Sequence, residues 1–526
     1  MSEAVLRRAF VQAVTVSRPG LRSILTEAGG SATEILSDVK QTAATRCMKD
    51  LPGPEGFPLL GTAPEYFRPG NRGRMHEVQR KFHQKYGKMF REKLGPGITN
   101  ISVADPVLVE ELLRHQGKYP LRPPYPSWLL YKELRKQKTG LMTAVNDDWH
   151  RYRSVLAKKL LRPKAVADYL DVTNDVVTSL MDRIRHIKDS DGNGVDVPTL
   201  ANELHKWALE SGAAILLDTR IGCLENNTSP KVQEFINSVG KMFLTGHQLI
   251  VFADIHKRIR SKTWVQHVQA WDTIYSVGRE LIDNKLNEVK QRLSNETGCS
   301  ETSNDLETKQ SVHFLEYLLG SRRLSMDEIY SNTTELLLSG VDTVSNTLAF
   351  ALHLIASNPR VQDRVVEEVD RVVENRTCSA DDINKLSYTK AVVKETLRLY
   401  PVIPINARVL TEDVVLDSYL IPKGTCVLIN NYTMHRDEKN FHNPDDFVPE
   451  RWVHKGAKEW HPFTVIPFGF GSRSCVGRRI GQQELYLAIV RICQNFRLRP
   501  REGSELKSTL RTMMNVDDIP VQFVDR

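Results

Sequence analysis

Ten residues near the C-terminal end, Phe468-Gly469-Phe470-Gly471-Ser472-Arg473-Ser474-Cys475-Val476-Gly477, combine types that can hold a metal through sulfur. The glycines allow tight turns and a close backbone approach to a flat ligand. Cys475 precedes a helix-like run, Arg478-Arg479-Ile480-Gly481. A helix N-terminus offers free N–H groups and partial positive charge, which predicts a thiolate of lowered pKa at Cys475. Six fixed positions, Phe468, Gly469, Gly471, Arg473, Cys475 and Gly477, match by chance with odds of roughly one in 10^5 in a chain this long. A second constellation, Ser339-Gly340-Val341-Asp342-Thr343-Val344-Ser345, sits inside a long apolar helical run from Asp327 to Ser357. Asp342 beside Thr343 gives an acid and an alcohol that can pass protons, and Gly340 among hydroxyl residues can open a helix backbone. A third pair, Trp149 and Arg153, lies four apart on a helix, and a planar donor pair facing one way suits a carboxylate-bearing ligand.

These motifs resemble those of the cytochrome P-450 family. The ten-residue stretch is similar to the family's haem-thiolate signature, F-x-x-G-x-R-x-C-x-G. The resemblance makes Cys475 the axial ligand of haem b iron, with Phe468, Gly469, Arg473 and Gly477 in the loop around the cofactor. An axial thiolate pushes electron density toward iron and favours O–O cleavage. Trp149 and Arg153 match the family's W-x-x-x-R, which clamps a haem propionate, and Arg408 matches another propionate-binding arginine. The Asp342–Thr343 segment resembles the family's A/G-G-x-D/E-T-T/S, with Ser339 and Val344 departing from it; Asp342 and Thr343 are thereby the catalytic proton relay. Glu395-Thr396-Leu397-Arg398 looks like the family's E-x-x-R. With Arg451 of Pro449-Glu450-Arg451-Trp452, it would form a buried charge network that fixes the haem loop.

Those residues need long helices and small sheets to position them. The expected architecture is mainly α with small β-sheets, one P-450-type haem domain over residues 47–526. A helix is expected over His76–Tyr86, and a hairpin over Lys88–Leu94 and Thr99–Val103 around Gly95-Pro96-Gly97. Residues 117–140 carry Pro120, Pro123, Pro124 and Pro126 and cannot be helical throughout; Trp128 and Leu129 there are either pocket residues or plain packing residues. Residues 164–250 read as mostly helical. Val414–Leu420 and Thr425–Ile429 read as strands with Gly424 in the turn, and Pro401 and Pro404 end the Glu395 helix. Val402 and Ile403 would then face the pocket. Residues 294–312 are polar and read as an exposed loop.

Composition is that of a globular protein: 526 residues, 40% hydrophobic and 26% charged. A net charge of +8 is modest for this length, and no nucleic-acid signature accompanies it. Seven cysteines at 47, 223, 299, 378, 426, 475 and 493 are irregularly spaced, which argues against a disulfide framework or zinc site. The leader has Arg7, Arg8, Arg18 and Arg22, but only Glu3 as an acid before Glu27. Its longest apolar stretch is far short of the roughly 18 residues needed to span a bilayer. Residues 1–46 therefore read as a mitochondrial transit peptide, with cleavage between about 30 and 47. Residues 251–264 place Val251, Phe252, Ile255, Ile259 and Trp264 beside Lys257, Arg258, Arg260 and Lys262. That is a candidate face for the inner membrane on the matrix side, held peripherally, or a charged helix packed on the body.

Electrons must come from a partner. Lys390 and Lys394 share a helix face, and Arg478 and Arg479 follow the Cys motif. Together they form a candidate positive surface for an acidic one-electron carrier. This pattern looks like the mitochondrial branch of the family, whose donor is a [2Fe–2S] ferredoxin. Within it, Gly117-Lys118-Tyr119-Pro120, Arg220-Ile221-Gly222-Cys223 and Leu399-Tyr400-Pro401-Val402 resemble the group holding sterol 27-hydroxylase and the vitamin D 1-alpha- and 25-hydroxylases. The resemblance implies hydroxylation of a sterol, bile-acid precursor or secosteroid side chain. The divergent residues 508–518 leave the substrate open between these enzymes. Two other readings stand beside it: a haem-thiolate protein that binds lipid or gas without turnover, and a peroxide-using isomerase or peroxygenase.

Overall fold

The computed structural model describes residues 46–95, 98–296, 313–453 and 460–526. The leader up to residue 45, residues 96–97 of the first hairpin turn and residues 297–312 of the expected polar loop lie outside the described residues. The helices that frame the site are α1 (Met75–Tyr86), α2 (Pro106–Arg114), α3 (Pro126–Arg135), α4 (Asn146–Leu160), α5 (Leu170–Ser190), α6 (Leu200–Leu217), α7 (Pro230–Gln248), α8 (Lys262–Glu296), α9 (Met326–Ser357), α10 (Pro359–Val372), α11 (Ser387–Leu399) and α12 (Arg478–Asn495). The strands are β1 (Met89–Gly95), β2 (Ile98–Val103), β3 (Ile405–Val409), β4 (Val414–Leu416), β5 (Tyr419–Ile421), β6 (Cys426–Asn430), β7 (Phe496–Pro500), β8 (Lys507–Leu510), β9 (Met514–Asp518) and β10 (Val521–Asp525).

The axis of the molecule is α9, 32 residues long. Its start is set by a capping box: Ser325 Oγ accepts from Glu328 N–H, and the Glu328 carboxylate accepts from Ser325 N–H. Pro359 follows its end and opens α10. Two apolar cores flank it. One joins α5, α6, α10, α11 and α12 to the second half of α9, with Trp207, Phe350 and Phe496 inside. The other joins α3, α4, α7 and α8 to the first half, with Trp149, Phe235 and Trp271 inside. A four-stranded sheet in the order β1-β2-β6-β3 forms a third core with α2. Only its β2–β6 pair is parallel.

Four expectations are corrected. Val414–Leu420 is not one strand but a β4–β5 hairpin, because Asp417 and Ser418 both take positive φ (48° and 68°) and reverse the chain in two residues. Trp128 is 1% exposed and packs against Tyr125, Phe243 and Trp271 with ring centroids 4.7–5.8 Å away, so it is core. The amphipathic stretch 251–264 is broken at Arg260, whose φ is 48°. A short helix, Ala253–Arg258, exposes Ile255, while Trp264 turns inward on α8. Residues 294–296 continue α8 instead of opening the loop.

Candidate active site

The Cys loop reverses just before α12. Cys475 N–H donates to the Phe468 carbonyl at 2.8 Å, and Gly469 and Gly471 occupy left-handed backbone (φ 71° and 74°) that disfavours a side chain. Gly477, by contrast, has φ −88° and needs no such freedom; a Cβ there would meet no heavy atom within 4 Å. Cys475 keeps accessible surface although protein packs densely around it, so that surface faces inward. The expected lowering of its pKa does not occur in the free thiol. Burial pushes it up, and this outweighs the Gly477 N–H and the charges of Arg122, Arg153 and Arg478. Metal coordination, which deprotonates a thiol outright, would reverse the balance.

Four guanidinium groups with no carboxylate partner among the described residues cluster beside the Cys loop, Arg122 and Arg153 acting on the sulfur itself. Arg473 donates to the carbonyls of Pro120 (2.9 Å) and Ala144 (3.1 Å) and lies 4.0 Å from the ring centroid of the fully buried Trp149. Arg153 reaches Ser474 Oγ at 3.5 Å. Arg408, on β3, donates to Gln116 Oε1 at 3.1 Å and to the Ala407 carbonyl at 2.8 Å. Arg122 donates to the Arg473 carbonyl. Burial and mutual repulsion bring Arg408 and Arg473 down to about 9, and Arg153 is lowered as well. Such a cluster is costly unless anions neutralise it. A haem has the required complement, a metal for the thiolate and two propionates for the arginines, so the residues fit that group. Arg122 went unread in the sequence; its signal is a lone cation within a proline- and aromatic-rich loop.

On the opposite wall, Leu336, Ser339, Gly340, Thr343 and Val344 stay partly accessible while their neighbours on α9 are buried. This spacing marks one helix face. A Cβ on Gly340 would meet nothing within 4 Å, and one on Gly481 of α12 would touch Val344 at 3.6 Å, so the stripe looks toward the Cys loop. The backbone stays helical at every residue here, so the expected opening of the ladder is absent. Thr343 Oγ1 instead bonds back to the Ser339 carbonyl at 2.8 Å. Asp342 does not point along the stripe. It is 2% exposed, its Oδ1 lies 3.3 Å from His205 Nε2 of α6, and its Oδ2 has no hydrogen-bond partner. His205 is a second residue that sequence reading missed, since a lone histidine on a helix carries no pattern.

The charge network assembles behind the loop. Arg398 donates twice to Glu395 (2.8 and 2.9 Å), both side chains being fully buried, and also to the carbonyls of His435, Pro444 and Asp446. Arg451 at 3.3 Å and the Trp452 indole N–H at 2.8 Å complete the shell of Glu395. Lys390 and Lys394 sit on α11, which packs against α12. Arg478 and Arg479, both exposed, open α12.

An inward-facing cysteine, a cluster of arginines without carboxylate partners among the described residues and an acid–alcohol helix together fit the class of haem-thiolate enzymes. A family model described as Cytochrome P450 matches residues 51–522, and the chain belongs to that family. It is a haem-dependent monooxygenase. The chain is similar to Cytochrome P450 27C1 of Danio rerio, with 36% identity over 94% of this chain and 90% of the relative. It is also similar to the mitochondrial 25-hydroxyvitamin D-1 alpha hydroxylase of Rattus norvegicus, with 35% identity over 94% and 97%. The mitochondrial sterol 26-hydroxylase of Oryctolagus cuniculus is 35% identical over 88% and 86%.

Proposed function

We propose that the chain is a mitochondrial hydroxylase of the side chain of a sterol, bile-acid precursor or secosteroid, reduced by a [2Fe–2S] ferredoxin. The observation that carries the reading is near-full-length similarity to enzymes named for vitamin D and sterol hydroxylation. An apolar wall supports it: Val402, Ile403, Val476, Ile480 and Met513 pack with Val341 of α9. The haem, when bound, supplies the activation of dioxygen. Cys475 would hold its iron, and Arg122, Arg153, Arg408 and Arg473 would pair its propionates, with Trp149 bracing Arg473.

The protein's own part is orientation and protons. Asp342 would pass a proton through its carboxyl to Thr343 Oγ1 at the inner face of α9. The apolar wall excludes bulk water that would otherwise leak protons to the site. Lys390, Lys394, Arg478 and Arg479 would receive the acidic electron carrier on the cysteine side. Residues 250–260, with Phe252, Ile255 and Ile259 exposed beside Lys257, Arg258 and Arg260, would rest on the matrix face of the inner membrane. No helix of the described residues is long and apolar enough to cross a membrane.

Reconstitution with NADPH, ferredoxin reductase and ferredoxin, followed by mass spectrometry of products from a panel of sterols and secosteroids, tests the reading. A hydroxylated side chain is expected. Intact cofactor binding with no product from any member would overturn it, and turnover with peroxide but not ferredoxin would favour a peroxygenase. Cys475→Ala should abolish the red-shifted carbon monoxide band of the reduced protein.

A further inference from the structure

The carboxylate that the proton relay depends on is paired with an imidazole, not with lysine or arginine. His205 Nδ1 lies 2.6 Å from the Ala201 carbonyl one turn back on α6, so that nitrogen carries its hydrogen as a donor. Nε2 is then the titrating nitrogen, and it faces Asp342 Oδ1 at 3.3 Å. The His205 side chain is 20% exposed and that of Asp342 only 2%, so the imidazole stands between solvent and the buried acid. The unpartnered Oδ2 means that turning the carboxyl inward gives up only the contact to His205.

We propose that His205 is a positioning residue that loads Asp342 with the proton delivered during oxygen activation. The inference rests on the relay role given to Asp342 above. In the transfer, the Nε2–H bond breaks as an O–H bond forms on Asp342 Oδ1. The imidazole becomes neutral and regains a proton from solvent, and no electrons move. Two charged groups from packed elements face His205: Asp342 of α9, and Arg511 of the β8–β9 turn, itself 2.9 Å from Asp517. Burial alone would lower the pKa of His205. The bond and charge of Asp342 and the Ala201 carbonyl outweigh burial and raise it, while Arg511 pulls it back. The same strand fixes the acid's backbone: Asn346 donates to the Asp342 carbonyl at 2.7 Å and accepts from Val516 N–H of β9 at 2.8 Å.

The test uses holoenzyme and two readouts that need no identified substrate. The first is NMR titration of labelled histidine. His205 should titrate above the ordinary value of about 6.5, and Asp342→Asn should lower it. The second is the pH profile of hydrogen-peroxide-driven guaiacol oxidation. Wild type should lose rate on an alkaline limb at the His205 pKa. His205→Gln should lose roughly tenfold at neutral pH, at the low end of what proton transfer contributes, and flatten the limb. His205→Lys, which restores the ion pair, should move the limb up by more than two pH units; a merely structural histidine would leave it in place. If Asp342→Asn oxidises guaiacol like wild type, the relay role of Asp342 falls, and this proposal with it. If Asp342→Asn is impaired but His205→Gln keeps the wild-type limb, the relay stands and the loading role of His205 is overturned.

Discussion

Glu395 shows how one buried side chain can gather several donors from distant segments. It accepts from Arg398, Arg451, Trp452 and the Val448 N–H. Glu395→Gln would leave the fully buried Arg398 without its counter-charge. The expected cost is about 3–5 kcal/mol, seen as a lowered denaturant midpoint and loss of haem on dilution. Glu484 on α12 makes the opposite case. It is buried with Ser211 Oγ as its hydrogen-bond donor, and burial raises its carboxyl to about 7. Its folded pKa lies above its ordinary value, so the folded state binds the extra proton between about 4.5 and 7. Stability therefore falls as pH rises through that window, by roughly 3 kcal/mol at its end. Glu484→Gln should unfold at a higher temperature than wild type at pH 8 and at nearly the same temperature at pH 4.5. A variant that follows wild type at both pH values would contradict this. Of the residues at this scale, Cys475, Trp149 and Arg153 could be singled out in the sequence because each belongs to a short local motif. Arg122 and His205 were not, because each acquires its neighbours only from distant elements.

At the scale of elements, α9 and the segment after α7 behave differently for one reason, the extent of burial. The apolar run from Asp327 predicted α9 to within a residue at its start, where the structure adds the Ser325–Glu328 capping box. The stretch 251–264 is amphipathic too, but Arg260 in left-handed backbone splits it, leaving Phe252, Ile255 and Ile259 outward at 46%, 54% and 66% exposure. An apolar ridge beside Lys257, Arg258 and Arg260 should bind anionic vesicles. Ile255→Ser with Ile259→Ser should reduce co-sedimentation with cardiolipin-containing vesicles several-fold and leave the carbon monoxide spectrum intact. Equal sedimentation of variant and parent would remove this ridge as the contact. The β4–β5 hairpin shows where element reading failed: alternating Val, Leu and Tyr reads as one strand, and only φ at Asp417 and Ser418 turns it back.

For the whole molecule, electron delivery is the property that depends on how α11 and α12 are brought together. Lys390 and Lys394 come from one helix and Arg478 and Arg479 from another, some 85 residues later in the chain. Lys394→Glu should slow first-electron transfer from ferredoxin about tenfold at low salt, with the difference closing as ionic strength rises. Stopped-flow reduction under carbon monoxide measures it, and a salt-independent rate would exclude steering by this surface. The sequence alone determined the family, the mainly helical class and the long helix α9, and it singled out Cys475 as the candidate iron ligand, because those rest on residues close together in the chain. Tertiary structure alone decided that Arg122 joins Arg153, Arg408 and Arg473, that Asp342 turns to His205 on α6, and that Trp128 and Trp264 are core. Those outcomes are set by which helix faces meet, and a facing partner leaves no periodic mark in either segment.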